Sequence, residues 1–400
     1  MANVFDYLTW RADVPFVVSA FNEVDNLILA ELAYTDFSGI VNADGDAVTL
    51  ADACEQFFQI HSKDEILKSN SFTAKAALLM EPMLTGDRFG KLRLCRYINE
   101  IDTETTTQLS ALTFLLDDGT AYVAYRGTDS TVVGWKEDFD IGCLSETVGQ
   151  QRAVEYLEET AATFELPFRV GGHSKGGNFA VFASSFCRNE TQARILTVYN
   201  NDGPGFRDEV VAQPGYLHIL PKIISIVPDT SMIGMILANK SKKHVIKSTA
   251  NGIFQHDGFS WSVQRDRFEP AETSELGKLM DQILSSWIDG MDDETRTSAT
   301  DTLFSLFEAT GADTFHEMSQ QKLKSAESIF NTLRTTSREK QTELLRLAGE
   351  LVKSGGQATL EKLPEMVFQK KEENGEESQD AAGPIVQQES ESSPAISAQS

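Results

Sequence analysis

Gly172-His173-Ser174-Lys175-Gly176 is the one stretch of this sequence whose residue types and spacing name a chemistry. In a Gly-x-Ser-x-Gly pentapeptide the serine sits on a sharp turn between a strand and a helix. Any side chain larger than hydrogen two residues to either side would strike the backbone, so the hydroxyl stands clear of the sheet. The flanks fit that geometry: Pro167-Phe168-Arg169-Val170 is short and partly β-prone, and Asn178-Phe179-Ala180-Val181-Phe182-Ala183 reads as a buried helix. Ser174 is therefore the candidate nucleophile, and the chemistry is acyl transfer.

A serine nucleophile needs a base, an acid to orient that base, and donors for the oxyanion. The chain holds six histidines. His173 adjoins the nucleophile, with its side chain directed away from the hydroxyl. His61 and His316 lie in helical flanks, and His218 and His244 begin or abut strands. His256 lies in a loop after the last predicted strand, where the order serine, acid, histidine requires the base. Two aspartates compete for the acid. Asp229 follows the second strand after the turn, the commoner place, and is preferred on that ground. Asp202 ends the first strand in the tight turn Asn201-Asp202-Gly203-Pro204, which would hold a carboxylate rigidly. The oxyanion donors are expected at the Lys175 amide and at Thr128, in the turn Tyr125-Arg126-Gly127-Thr128. Lys175 is also expected to add positive potential near the site. This chemistry requires no metal and no cofactor.

The elements that must position these residues follow from periodicity. Up to about Tyr97 the chain reads as mostly helical, with Val24, Leu27, Ile28 and Leu32 at helical spacing and a second segment from Ala53 to Phe58. Leu112 to Leu116, the turn Asp117 to Thr120, and Ala121 to Tyr125 form a hairpin signature. A helix from Gln151 to Phe164, the serine turn, and strands at Arg194–Tyr199, Lys222–Val227 and His244–Ser248 follow. This alternation predicts an α/β fold with a mixed, mostly parallel sheet, whose ligands bind at the carboxyl ends of the strands. Beyond Trp261 the strand pattern stops. Ser274 to Ile288, Thr302 to Phe307 and Ala326 to Val352 read as amphipathic helices. From about Lys370 the chain is Glu-, Gln- and Ser-rich, with too little apolar surface to fold. The expected organisation is a hydrolase domain with a helical N-terminal cover over 1–265, a helical region over 266–367 and a disordered acidic tail over 368–400.

At 400 residues and 41% hydrophobic the chain can bury a large core. Its formal net charge of −25 repels phosphate backbones and anionic lipid surfaces, which argues against nucleic acid as a partner. Cys54, Cys95, Cys143 and Cys187 lie far apart, form no Cys-x-x-Cys pair and suggest neither zinc nor a disulfide framework. Neither a basic, apolar leader nor a membrane-length apolar run is present, so the expected location is cytoplasmic, unless an unconventional route exports the protein.

Tyr125-Arg126-Gly127-Thr128 together with Gly172 to Gly176 resembles the paired motifs of the class 3 lipases. The wider set, adding Trp135 to Phe139, Asn200 to Phe206, Ile233-Gly234-Met235, Gln255-His256-Asp257 and Ser260-Trp261, resembles a bacterial family of lipase-like α/β-hydrolases called Mbeg-like, over most of the chain to about residue 350. The resemblance implies Ser174 as nucleophile, His256 as base and Thr128 with Lys175 as oxyanion donors; it leaves the acid open. The expected activity is hydrolysis of carboxylic esters, of lipid or small-molecule type, with Ile233 to Leu237 as a candidate apolar wall or lid. The alternatives are a thioesterase or peptidase, or a catalytically weak hydrolase fold that acts as an interaction module, with a protein partner on its C-terminal helices.

Overall fold

The computed structural model describes residues 1–68, 73–102, 107–128, 141, 146–231, 233–235, 237–274 and 278. The chain divides into two units, Met1–Ser354 and Gly355–Ser400, and every described residue belongs to the first. Except for Ser274 and Lys278, the segments read as C-terminal helices and acidic tail, together with Trp135 to Phe139, Cys143, Ile236 and His316, lie outside the described residues.

Eight strands form one sheet in chain order: β1 (Val48–Thr49), β2 (Arg93–Asp102), β3 (Thr107–Leu115), β4 (Ala121–Tyr125), β5 (Phe168–His173), β6 (Ile195–Asn201), β7 (Ile223–Pro228) and β8 (Lys243–Ile246). The first four pair antiparallel, and β4 through β8 are parallel. This is an α/β-hydrolase architecture. The β3–β4 hairpin joins Leu115 to Ala121 as its pattern predicts. Strand β2 departs from the helical reading up to Tyr97. A register shift lies between Cys95 and Ile98, with Arg96 at φ 55°, and such a bulge breaks the two-residue alternation by which a strand is recognised. A small hairpin, Val263–Gln264 with Arg267–Phe268, also continues strand structure past Trp261.

Strands placed side by side in chain order, with right-handed crossovers, carry their helices on one face. Those helices are α4 (Val148–Thr163), α5 (Lys175–Phe186) and α6 (Pro214–Ile219), preceded in the chain by α1 (Val4–Arg11), α2 (Glu23–Leu32) and α3 (Leu50–Ile60). Alternate strand residues enter two separate cores. Val123 and Tyr125 meet Tyr156, Leu157, Phe179 and Ala183 of the crossover helices. Tyr122 and Ala124 meet Val24, Leu27, Ile28 and Phe57 of the N-terminal helices. The N-terminal segment thus covers the opposite face of the sheet.

Helix α2 is capped by Asn22, whose side chain takes the Asp25 amide while Asp25 takes the Asn22 amide. Nine of its ten residues are buried, three of them polar or charged: Asp25, Asn26 and Glu31. Buried polar groups need partners, and two have them. Asp25 receives Arg88 Nε at 2.7 Å and Tyr7 OH at 2.8 Å, and Arg88 lies 4.3 Å over the Phe16 ring. Asn26 Nδ2 donates to Asn201 Oδ1 at 2.7 Å and Tyr122 OH donates to Asn26 Oδ1 at 2.6 Å, so α2 is fastened to β4 and to the end of β6.

Candidate active site

Ser174 leaves β5 with φ 58° and ψ −131° and opens α5, while its side chain makes no capping hydrogen bond. A serine with φ in this range carries about 1 to 3 kcal/mol of backbone strain, which the surrounding packing must hold. A methyl group at Gly176 would lie 2.0 Å from the Tyr125 carbonyl oxygen, and one at Gly172 would lie 2.3 Å from the Gly176 backbone. Glycine is therefore required on both sides for the close approach that the pentapeptide implies. The Ser174 amide donates to the Asn201 carbonyl at 2.9 Å, which sets the turn beside the end of β6.

Asp202 follows at that end. Its φ is 51°, a conformation that aspartate tolerates better than most residues. The Asn200 side chain holds the turn by accepting from the Gly203 amide at 2.8 Å. The Asp202 carboxylate is buried. Its Oδ1 accepts from Ser231 Oγ and from the Gly234 amide at 3.2 Å, and its Oδ2 from His256 Nδ1 at 2.7 Å. Because the carboxylate accepts, His256 carries a proton on Nδ1.

Asp229, preferred from its position after β7, does not meet His256. Its carboxylate accepts from Gln255 Nε2 at 2.8 Å and from Thr230 Oγ1 at 3.2 Å. The carboxylate that reaches His256 is that of Asp202, because a place in the strand order does not determine which way a carboxylate is turned. The Asp229 main chain is committed too, with its amide on the Ile246 carbonyl and its carbonyl on the Ser274 amide. Met235, in the stretch read as an apolar wall, is buried, while the neighbouring Gly234 serves Asp202.

His173 points away from the serine hydroxyl and into the protein. Its Nε2 lies 2.7 Å from the His256 carbonyl and its Nδ1 3.0 Å from Tyr34 OH. A carbonyl can only accept, so Nε2 bears the proton and Tyr34 donates to Nδ1. Burial, with help from the neighbouring His256, holds this imidazole well below its ordinary range. Trp261 Nε1 donates to the Gln255 carbonyl at 2.8 Å, so consecutive carbonyls of the histidine loop are held by two buried rings. Glu31 is fully buried 3.8 Å from His173 Nδ1, and neither of its oxygens has a hydrogen-bond partner. Burial, with the Asp257 charge beside it, pushes its carboxyl well above the usual range. Tyr34, Glu31 and Ser231 carry no motif that would have flagged them and reach the site through the fold; Gln255 and Trp261 lie in segments that carry the family resemblance, which gave them no role.

On the other flank, β4 runs into Gly127 and Thr128. A methyl at Gly127 would lie 2.1 Å from Tyr34 OH and 3.0 Å from Ser174 Cβ, so this turn abuts the serine. Thr128 is buried, and Lys175 is the first residue of α5. The Lys175 ammonium, expected to add positive potential, is itself buried and donates to the Gln108 carbonyl at 3.0 Å. Among the other histidines, His61 stacks on Phe57 at 4.4 Å and His244 Nδ1 lies 3.3 Å from Glu23 Oε2; His218 is exposed.

A mixed sheet with a serine turn, an Asp–His pair and a glycine turn at the carboxyl ends of its strands defines a lipase-like hydrolase fold. A family model described as Mbeg1-like matches residues 83–305, more than half of the chain, and the protein belongs to that family. No curated protein matches the sequence. Solved structures similar to it include three lipases. Lipase II from Rhizopus niveus has 14% identity and a TM-score of 0.34, over 56% of this chain and 98% of its own. The Rhizomucor miehei lipase in complex with its propeptide has 13% identity and a TM-score of 0.33, over 65% and 94%. M37 lipase has 12% identity and a TM-score of 0.32, over 54% and 70%.

Proposed function

We propose that the protein is a serine hydrolase acting on carboxylic esters, with Ser174 as nucleophile, His256 as base and Asp202 as the acid that orients it. The observation that carries this reading is the 2.7 Å bond between His256 Nδ1 and the buried Asp202 carboxylate, made beside a serine held at φ 58°. His256 Nε2 takes the Ser174 proton as Oγ bonds to the ester carbonyl carbon. The amides of Thr128 and Lys175 receive the oxyanion. Collapse of the adduct breaks the ester C–O bond, and the alcohol leaves with the proton from His256. A water then gives its proton to His256, attacks the acyl-enzyme and releases the carboxylic acid and free Ser174.

The wild type and Ser174→Ala, assayed on p-nitrophenyl esters, acyl-CoAs and peptides, test this. Ester turnover by the wild type and a loss of roughly 10⁴-fold or more in the variant are expected. Equal turnover by the two proteins would overturn the assignment, and turnover of acyl-CoAs or peptides alone would move it to a thioesterase or peptidase.

A further inference from the structure

The turn after β7 touches the acid and the residue that precedes the base. Ser231 Oγ and the Gly234 amide hold Asp202 Oδ1. Asp229 and Thr230 hold the residue next to His256: Gln255 Nε2 donates to Asp229 Oδ1 at 2.8 Å and Gln255 Oε1 accepts from the Thr230 amide at 2.9 Å. One turn thus holds the acid on one side and the neighbour of the base on the other. We propose that Asp229 is a positioning residue for His256, acting through the Gln255 carboxamide; this rests on the serine hydrolase reading above.

The chemistry of the clamp is specific. The Thr230 N–H requires an acceptor and the Asp229 carboxylate requires a donor, and only a primary amide offers both from one planar group at that reach. Glutamate at 255 would set a carboxylate against Asp229, and an apolar residue would leave the Thr230 amide without this acceptor and Asp229 without its amide donor. Gln255 is buried, and its own carbonyl is taken by Trp261, so its backbone has little freedom once the carboxamide is held. The Asp229 main chain is pinned between Ile246 and Ser274. The anchor is therefore rigid, and a rigid anchor one residue from the base limits how far the imidazole can drift from Asp202. A displacement of about 1 Å in such a group costs on the order of 10²-fold in rate.

The test compares wild type, Asp229→Ala, Asp229→Asn, Gln255→Met and the Asp229→Ala/Gln255→Met double variant by rate of fluorophosphonate labelling, melting temperature and the downfield Nδ1 proton resonance of His256. Asp229→Ala and Gln255→Met are expected to slow labelling by about 10- to 100-fold and to broaden the His256 proton. Asp229→Asn retains an acceptor for Gln255 Nε2 and is expected to stay within a few fold of wild type. The double variant is expected to be no slower than Gln255→Met alone, because Asp229 acts only through that side chain. Asp229→Ala at the wild-type rate with a sharp His256 proton overturns the proposal. So does a double variant that adds the full Asp229→Ala cost, or an Asp229→Asn variant as slow as Asp202→Asn, which would make the Asp229 charge the working group. If the wild type does not label at all, the hydrolase reading fails, and the His256 proton in Asp229→Ala and Asp229→Asn still decides the positioning. Should Asp229→Ala not fold, Gln255→Met and Asp229→Asn carry the comparison.

Discussion

At the scale of single residues, the site divides between groups that could touch a substrate and groups that hold them. Asp202→Asn keeps the shape of the acid but lets its amide face His256 Nδ1, favouring the wrong tautomer; kcat for ester hydrolysis should fall roughly 10³- to 10⁴-fold with little change in KM. Glu31 makes a separate prediction about stability. Its folded-state carboxyl is raised above its ordinary 4.5 by burial and by Asp257. Below that pH both folded and unfolded chains hold the proton and no penalty exists. As pH rises through it, the unfolded chain ionises while the folded one stays neutral, so stability is lost with rising pH until the folded value is reached. Glu31→Gln should therefore melt at the same temperature as wild type in acid and at a higher one near neutrality. His173 works in the opposite sense. Its lowered affinity for protons removes stability as pH falls below its ordinary 6.5, so the wild type should be most stable near the crossing of the two windows. Equal melting curves for Glu31→Gln and wild type at every pH would show that Glu31 is not held neutral.

Elements were legible in the sequence wherever one physical signal dominated. The β3–β4 hairpin declared itself through alternation around Asp117 to Thr120, and the serine turn through glycines that the packing does require. Strand β2 was hidden by its bulge at Arg96. The acid was not separable because Asp202 and Asp229 each end a strand, and only the turn of the chain reveals that one faces His256 and the other Gln255. Helix α2 showed its apolar spacing but not the purpose of Asp25 and Asn26, whose partners are remote in sequence, or of Glu31, which lies buried beside His173. The Asp25–Arg88 pair lets this element be tested alone. Both side chains are fully buried, and Arg88→Met would strand the Asp25 carboxylate, at a cost of about 3 to 5 kcal/mol. Urea denaturation should show that loss, and Asp25→Leu/Arg88→Met should recover a large part of it. A wild-type midpoint for Arg88→Met would mean that the pair does not hold α2 to the segment before β2.

For the whole molecule, the two cores on opposite faces of one sheet explain what the N-terminal helices contribute: without them Tyr122, Ala124 and Ile226 would face water. Among the described residues no helix is long and apolar enough to cross a membrane, and Cys54, Cys95 and Cys187 are buried free thiols. The net charge of −25 acts at a distance that salt controls, with a screening length of about 10 Å at 0.1 M. Encounter with an anionic ester should be slowed by that field and encounter with a neutral ester should not. Raising ionic strength should thus increase kcat/KM for a succinyl ester while leaving that of an acetyl ester unchanged; a parallel response would remove long-range charge from the account.

The central claim, that Ser174 is an activated nucleophile, is tested most directly by treating the folded protein with a fluorophosphonate and mapping the adduct by peptide mass. The account predicts a single adduct on Ser174 that is absent from Ser174→Ala and strongly slowed in both Asp202→Asn and His256→Ala. A folded wild-type protein that takes up no label, or an adduct at another serine that survives Ser174→Ala, would contradict it.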